Sequence, residues 1–190
     1  MNQEEILEIL RDAGAIRTGH FQLTSGLHAD TYYQCAAALE NPHLTEKMGG
    51  EIAALYKGES VDLVVSPALG GVILGFATAL ALDTRFIWAE RVKGAMVFRR
   101  GFCVNPGERV LVVEDVVTTG GSVSEVVKLI EAAGGLVIGV ACLMNRGALA
   151  SVAGQDLKSL VTVATETFDS AECPACAAEK QIESPGSRRV

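Results

Sequence analysis

Residues 109–122 read Arg-Val-Leu-Val-Val-Glu-Asp-Val-Val-Thr-Thr-Gly-Gly-Ser, and this stretch is the most informative one in the chain. The apolar run 110–113 is typical of a buried parallel strand. Two acids, Glu114 and Asp115, follow it at once, and then come a small polar loop and the start of a helix. Ligands of open parallel sheets bind beyond the carboxyl ends of the strands. The two acids are therefore expected to face a ligand.

The loop after the two acids has the composition of an anion site. Its hydroxyls come from Thr118, Thr119 and Ser122, and its glycines, Gly120 and Gly121, leave backbone N–H groups approachable at a helix N-terminus. Such a terminus favours phosphate, and paired carboxylates can accept hydrogen bonds from a sugar diol. The pattern predicts a ribose 5-phosphate site. Taken alone, the loop is also an ordinary turn with a Ser N-cap, and the acidic pair favours the ligand site.

The whole stretch resembles the phosphoribosyl pyrophosphate (PRPP) binding motif of the type I phosphoribosyltransferases. The resemblance implies a PRPP site made of Glu114, Asp115, Val116, Val117, Thr118, Thr119, Gly120, Gly121 and Ser122. It also implies a pyrophosphate loop made of Ala68, Leu69, Gly70 and Gly71, whose backbone N–H groups are left accessible by small residues. Without the resemblance, this second Gly-Gly pair would be an ordinary turn after a strand at 61–65.

Two flanking segments resemble the orotate phosphoribosyltransferases in particular. Residues 19–35 contain a Phe-x-Leu-x-Ser-Gly run before an aromatic-rich strand, as in the N-terminal hood of that family. Arg146 closes the apolar strand 136–143, where orotate enzymes carry an arginine for the pyrimidine carboxylate. A guanidinium fork suits a planar carboxylate. The resemblance implies that Thr118, Ser25 and Arg146 bind orotate, although Arg146 by itself would be a solvated charge at a strand end.

The sequence departs from the family at two places. Many orotate enzymes have a lysine where this chain has Thr24, and their mobile catalytic loop is Lys-rich and ends in Asp-His-Gly. The corresponding segment here, 90–101, is shorter and lacks histidine. Arg91 and Lys93 are expected to act in its place, with Asp115 as the third catalytic residue. A phosphoribosyltransferase for a purine or uracil therefore stays open, as does a PRPP-sensing regulator without turnover.

The resemblance also implies the reaction and its requirements. Orotate would attack C1 of PRPP as pyrophosphate leaves, giving orotidine 5′-monophosphate for pyrimidine (UMP) biosynthesis. The expected cofactor is Mg²⁺ held mainly by the substrate, so no protein side-chain ligands for metal are expected. A homodimer with shared active sites is implied, in which Arg91 and Lys93 act on the neighbouring subunit.

Alternating strand and helix patterns predict an α/β fold with a doubly wound, mainly parallel sheet. At 190 residues, one phosphoribosyltransferase domain over 1–190 is expected, with a hood at 15–35, a flexible loop at 90–101 and a loosely ordered tail from Ser184. The predicted helices are 3–13, 42–56, 72–82 and 122–133, and the predicted strands are 61–65, 86–89, 110–113, 136–143 and 160–164.

Composition and charge argue against several other classes. The net charge is −7 and no basic stretch exceeds two residues, which argues against a nucleic-acid partner. The uncharged run 63–82 is interrupted by Ser66-Pro67 and Gly70-Gly71, so a membrane span is not expected. With no N-terminal secretory pattern and five scattered cysteines, the protein is expected to be cytoplasmic with reduced thiols.

Cys173-Pro-Ala-Cys176 has the spacing of a metal or redox motif. A structural zinc site needs four ligands, and no second Cys-x-x-Cys exists. The other candidate ligands, which lie far away in the sequence, are Cys35, Cys103, Cys142, His20, His28 and His43. A packing or surface turn is therefore the favoured interpretation.

Overall fold

A computed structural model describes residues 1–23 and 25–185, so the predictions for Thr24 and for the tail 186–190 lie outside the described residues. The strands are β1 (Ile16–Gln22), β2 (His28–Tyr33), β3 (Leu63–Pro67), β4 (Arg85–Val92), β5 (Ala95–Phe98), β6 (Arg109–Val117), β7 (Leu136–Asn145), β8 (Ser151–Val152), β9 (Gln155–Thr162) and β10 (Thr167–Phe168). The helices are α1 (Gln3–Asp12), α2 (Cys35–Leu39), α3 (Pro42–Ala54), α4 (Gly70–Leu82), α5 (Gly121–Ala132) and α6 (Pro174–Ala177).

The main sheet has seven strands in the order β5-β4-β3-β6-β7-β9-β8. The pairs from β4 to β9 are parallel, and only the edge strands β5 and β8 pair antiparallel. This confirms the predicted mainly parallel α/β fold. From β3 the chain moves to β4 on one side, and from β6 it moves to β7 and β9 on the other. The carboxyl ends of β3 and β6 therefore flank the topological switch point, where open α/β sheets bind ligands.

The central strand β6 is buried on both faces, which explains its unbroken apolar run. Leu111 and Val113 pack into a cluster with residues of α1, α3 and α4. Val110 and Val112 pack into a second cluster with residues of α5. Since side chains alternate along a strand, one run of four apolar residues supplies both layers.

Two predicted helix starts are confirmed by their caps. Asn2 and Glu5 form a capping box at the start of α1, in which each side chain accepts the other's backbone N–H. Asn41 caps α3 by accepting the backbone N–H groups of His43 and Leu44, and Pro42 occupies the first turn. Both ends are specified by local sequence.

The strand β6 extends further than the apolar run predicts. Its ladder with β7 continues through Glu114, opposite Cys142, to Val117, opposite Asn145. The two acids therefore lie within the last part of the strand instead of after it. Regular backbone pairing with a long neighbour fixes their positions.

Residues 90–101 form mainly a hairpin, not an irregular loop. The end of β4 pairs antiparallel with β5, from Ala89 opposite Phe98 to Val92 opposite Ala95. Lys93 and Gly94 make the turn with φ values of 48° and 89°. Positive φ at both central residues is typical of a tight hairpin turn. The predicted strand 86–89 is thus only the first part of a longer strand.

The predicted hood is a small separate sheet in the order β1-β2-β10. Its first two strands come from the N-terminal segment, and β10 is added antiparallel to β2 from the C-terminal part of the chain. Residues 63–82 are divided between β3 and α4. No helix of the described residues combines the length and apolar character needed to cross a membrane.

Candidate active site

Two loops meet at the switch point of the main sheet, one after β3 and one after β6. A methyl group on Gly70 would lie 2.5 Å from Asp115 Oδ1, and one on Gly71 would lie 2.7 Å from Glu114 Oε1. The predicted pyrophosphate loop therefore packs directly on the acidic pair. Only glycine leaves room for both carboxylates at this contact.

The predicted phosphate loop, 118–122, runs into α5, a helix whose N-terminus is open. Gly120 is the N-cap of α5, with φ of 74°, and no side chain caps the helix. The first backbone hydrogen bond of the helix runs from the Ser124 N–H to the Gly120 carbonyl, at 2.8 Å. The earlier N–H groups, at 121–123, have no acceptor within the helix. A methyl group on Gly120 would lie 2.8 Å from Val152 Cγ1, so a side chain is excluded here.

A cleft of about 350 Å³ opens over this helix end. Its volume is within the range of small-molecule sites. The lining contains the predicted PRPP residues of the loop together with the Glu114 carboxylate and two charged side chains from outside the motif. The lining residues are Arg91, Glu114, Val116, Val117, Thr118, Thr119, Gly120, Gly121, Ser122, Val123 and Glu125.

Glu114 lies in an environment that disfavours its charged form. Glu114 is 8% exposed and accepts the backbone N–H of Asp115 at 3.1 Å. Burial, followed by the negative charge of Asp115, raises the pKa of Glu114 well above its ordinary value. Asp115 is half-buried and its Oδ1 accepts the backbone N–H of Val116 at 2.9 Å. Hydroxyl donors from a ligand would stabilise the ionised pair.

The two expected catalytic cations lie in different places. Arg91, on β4, makes a double ion pair with Glu125 of α5, with Nη2···Oε1 at 2.8 Å and Nη1···Oε2 at 3.0 Å. Both side chains line the cleft. Arg91 thus lies at the cleft of its own chain, because the hairpin folds back beside α5. Its expected action on a neighbouring subunit's site stays a prediction. Lys93 is exposed at the hairpin turn and does not line this cleft.

The expected orotate residues are only partly brought together. Arg146 follows β7, and its backbone N–H donates to the Val117 carbonyl at 2.8 Å, which fixes it beside Thr118 and the phosphate loop. Its guanidinium lies over the Tyr33 ring, 5.2 Å from the centroid. Ser25 lies in the turn before β2, and β2 alone spans roughly 17 Å from His28 to Tyr33 at the usual rise per residue. Its contact with orotate stays a prediction.

Arg146 carries an unused donor. Its Nε is buried and has no hydrogen-bond partner among residues 1–23 and 25–185. A buried N–H without a partner is costly, so a ligand oxygen at this position would stabilise the site. Tyr33, which supports the guanidinium, was not singled out from the sequence. The signal that could have indicated it is the aromatic pair Tyr32-Tyr33 at the end of the hood strand.

Comparison with known proteins agrees with this geometry. Residues 36–173 match the family model described as "Phosphoribosyl transferase domain". A protein of Desulforamulus reducens named orotate phosphoribosyltransferase is 43% identical over 190 residues, which is 100% of both chains. A protein of the same name from Chlorobium phaeobacteroides is 45% identical over 188 residues, covering 99% of this chain and 97% of the relative.

The chain belongs to the orotate phosphoribosyltransferase family. Its fold is shared with solved structures, among them an orotate phosphoribosyltransferase from Aeropyrum pernix, with a TM-score of 0.70, 24% identity, and coverage of 83% of this chain and 93% of that one. An adenine phosphoribosyltransferase from Thermoanaerobacter pseudethanolicus has a TM-score of 0.60 at 22% identity, covering 70% and 88%. Since the same fold occurs in proteins named for different bases, the fold by itself does not identify the base.

Proposed function

We propose that this protein transfers the 5-phosphoribosyl group of PRPP to orotate, giving orotidine 5′-monophosphate and pyrophosphate for pyrimidine nucleotide synthesis. The observation that carries the proposal is Arg146, whose buried Nε has no partner and whose guanidinium is held over Tyr33 next to the phosphate loop. A cationic fork at this position fits the carboxylate of orotate. Adenine has no carboxylate that could pair with this guanidinium.

PRPP is proposed to occupy the crevice between the two loops. Its 5′-phosphate accepts hydrogen bonds from the unpaired N–H groups at the start of α5 and from the hydroxyls of Thr118, Thr119 and Ser122. The ribose hydroxyls donate to Glu114 and Asp115. The pyrophosphate lies on the loop 68–71, whose glycines already contact the acidic pair. This arrangement directs C1 of the ribose toward Arg146 and the base.

Catalysis in this site rests on alignment and charge. The chain needs no nucleophile of its own, because orotate displaces pyrophosphate directly. Arg91 can release Glu125 and pair with the leaving pyrophosphate, since the ion pair is solvent-exposed and such pairs are weak. Mg²⁺ bound to PRPP would neutralise further charge on the pyrophosphate. The acidic pair at the crevice is compatible with a cation nearby, and among the described residues no group of three carboxylates forms a separate cage.

A homodimer is proposed from an exposed apolar stripe on α4. Leu69, Ile73, Phe76 and Leu80 are 86%, 54%, 58% and 66% exposed. Their spacing places them on one face of the helix. A contiguous apolar face of this kind is typical of a protein interface. A second copy covering it would lie beside the pyrophosphate loop, and Lys93 at the hairpin turn would then be the side chain offered to the neighbouring site.

We also propose a cytoplasmic location for the enzyme. All five cysteines, which the structure describes in full, are unpaired. Reduced thiols are the ordinary state of cytosolic proteins.

Orotate consumption with PRPP and Mg²⁺, followed by ultraviolet absorbance, tests the assignment. Wild-type protein should consume orotate, and adenine, hypoxanthine and uracil should not replace it. Arg146→Ala should lose roughly 2–4 kcal/mol in kcat/KM for orotate, or about 30- to 1000-fold, because a charged donor to a carboxylate is removed. Arg99→Ala, which removes an exposed arginine paired with Glu90, is the matched control and should keep its activity.

Equal activity of the Arg146→Ala variant would show that this guanidinium does not bind the base. Turnover of a different base by the wild-type protein would establish another phosphoribosyltransferase. PRPP binding without turnover of any base would establish a regulator.

A further inference from the structure

Four side chains come together between the hood and the C-terminal helix α6, two from each. His20 is on β1 and His28 begins β2, whereas Cys173 is the N-cap residue of α6 and Cys176 lies within that helix. One ligand atom from each lies within 4.8 Å of the others. Both histidines and Cys173 are buried, and Cys176 is half-buried. None of the four lines the PRPP cleft.

The spacing of these atoms fits a tetrahedral metal ion. His20 Nε2 lies 2.9 Å from His28 Nδ1, and 3.6 Å and 3.5 Å from the Sγ atoms of Cys173 and Cys176. Cys176 Sγ lies 3.2 Å from His28 Nδ1. Zinc with ordinary bond lengths to imidazole and thiolate places tetrahedral ligands roughly 3.3 Å apart for N···N and roughly 3.6 Å for N···S. The four atoms already approach this arrangement.

A bulge in β1 brings the two histidines to one face. The first residues of β1 pair with β2 in a register that, if it continued, would place Phe21 opposite His28. One extra residue in β1 before Phe21 shifts this register, so Gln22 lies opposite His28 instead. Side chains alternate along a strand, so His20 projects to the same side as Gln22 and hence as His28. Without the bulge His20 would face the other way. Bulges often serve to re-aim a side chain in this manner.

The C-terminal segment fixes the orientation of His20. Its Nδ1 lies 2.9 Å from the Lys180 carbonyl, so this nitrogen carries the proton and donates it, and Nε2 is left as the lone pair facing the cluster. Metal-bound histidines are held in the same way by an acceptor behind the ring. The Glu183 N–H donates to the His20 carbonyl and the Gln22 N–H to the Glu183 carbonyl, both at 2.8 Å, so 180–183 runs alongside β1.

We propose that His20, His28, Cys173 and Cys176 bind one structural Zn²⁺ ion. Two imidazoles and two thiols in a closed, mostly buried tetrahedron are the ligand set of a structural zinc site. Four protein ligands leave no open position, so the ion has no direct part in the transfer reaction. It fastens α6 and the C-terminal segment onto the hood. This inference does not depend on which base the enzyme uses.

Metal content of tag-free protein, purified without chelators, tests the site directly. Elemental analysis should find about one zinc per chain in the wild type, and the Cys176→Ser variant should fall to background. Cys103→Ser changes an exposed cysteine outside the cluster and should keep the zinc. Because a variant of a structural ligand can misfold, the wild type is also stripped of metal and refilled with Co²⁺. Tetrahedral visible absorption and a thiolate-to-cobalt band are expected.

Three results would overturn the proposal. The first is wild-type protein that contains no zinc and takes up neither Zn²⁺ nor Co²⁺ after reduction. The second is full zinc retention in both Cys176→Ser and His28→Ala. The third is a Cys173–Cys176 disulfide in the purified protein, seen when denatured, metal-free chains react at two fewer thiols than the five cysteines present. None of these results bears on the orotate assay, which tests the transfer reaction separately.

Discussion

Replacing Glu114 with glutamine should stabilise the ligand-free protein while weakening PRPP binding. Burial and the adjacent Asp115 raise the pKa of Glu114 above its ordinary 4.5. The folded protein therefore keeps a proton on Glu114 in a pH range where the unfolded chain has lost it. By linkage, the stability contributed by this group is present below about pH 4.5 and is lost as the pH rises toward the raised pKa. Glutamine has the shape of the protonated acid and does not titrate.

The magnitude follows from one proton. While Glu114 is protonated in the folded state and ionised in the unfolded state, the free energy of unfolding falls by about 1.4 kcal/mol per pH unit. This slope applies only between the ordinary pKa and the raised pKa. The stability of Glu114→Gln relative to wild type should therefore increase with pH. Its affinity for PRPP should fall by roughly 1.5–3 kcal/mol, because Glu114 becomes a charged acceptor once the ribose hydroxyls bind, and glutamine cannot.

Urea unfolding from about pH 5 to about pH 7, without ligand, measures the first effect. Titration with PRPP and Mg²⁺ at one pH measures the second. Glu131→Gln makes the same substitution on an exposed position of α5 and serves as the control. A stability difference between Glu114→Gln and wild type that does not change with pH would refute the reasoning about the buried carboxyl. A difference that shrinks as pH rises would show that the sign is wrong.

Two further predictions concern the loops around the cleft. Gly71→Ala places a methyl group 2.7 Å from Glu114 Oε1, so it should destabilise the fold by about 1–3 kcal/mol and weaken PRPP binding. The control is Gly50→Ala, whose methyl group would meet nothing within 4 Å and should have neither effect. Thermal unfolding and PRPP titration compare the two variants. Lys93→Ala mixed with Asp115→Ala should recover activity in verified heterodimers, since the proposed homodimer offers Lys93 across the interface and keeps Asp115 in its own site. No recovery in heterodimers would count against a shared site.

Much of the fold is determined by contiguous sequence. The run 110–113 packs on both faces, so its four apolar residues specify a central strand. Asn2 and Asn41 cap their helices through residues no more than three positions away. The phosphate loop is likewise local, because Gly120 and the first turn of α5 are adjacent in the chain. Hydrogen bonds that span a few residues can be predicted from residue type and spacing.

Features that depend on strand pairing could not be predicted from local sequence. The extension of β6 to Val117 requires β7 as a partner, and the hairpin at 90–101 requires β5, whose four residues give a weak pattern alone. The same is true of Arg91, which reaches its own cleft only because the hairpin lies beside α5. In each case the determining contact is with a strand or helix elsewhere in the chain.

The fold class, the acidic pair and the glycine-rich turn after it depend on neighbouring residues, so they could be predicted from the sequence alone. The sequence alone does not predict the cluster of His20, His28, Cys173 and Cys176. In the chain, His28 and Cys176 lie 148 positions apart. Their meeting depends on a bulge in β1 that turns one histidine and on the return of the C-terminal segment to the hood. A single-residue shift in register reverses the face of a side chain, and spacing along the chain carries no information about it.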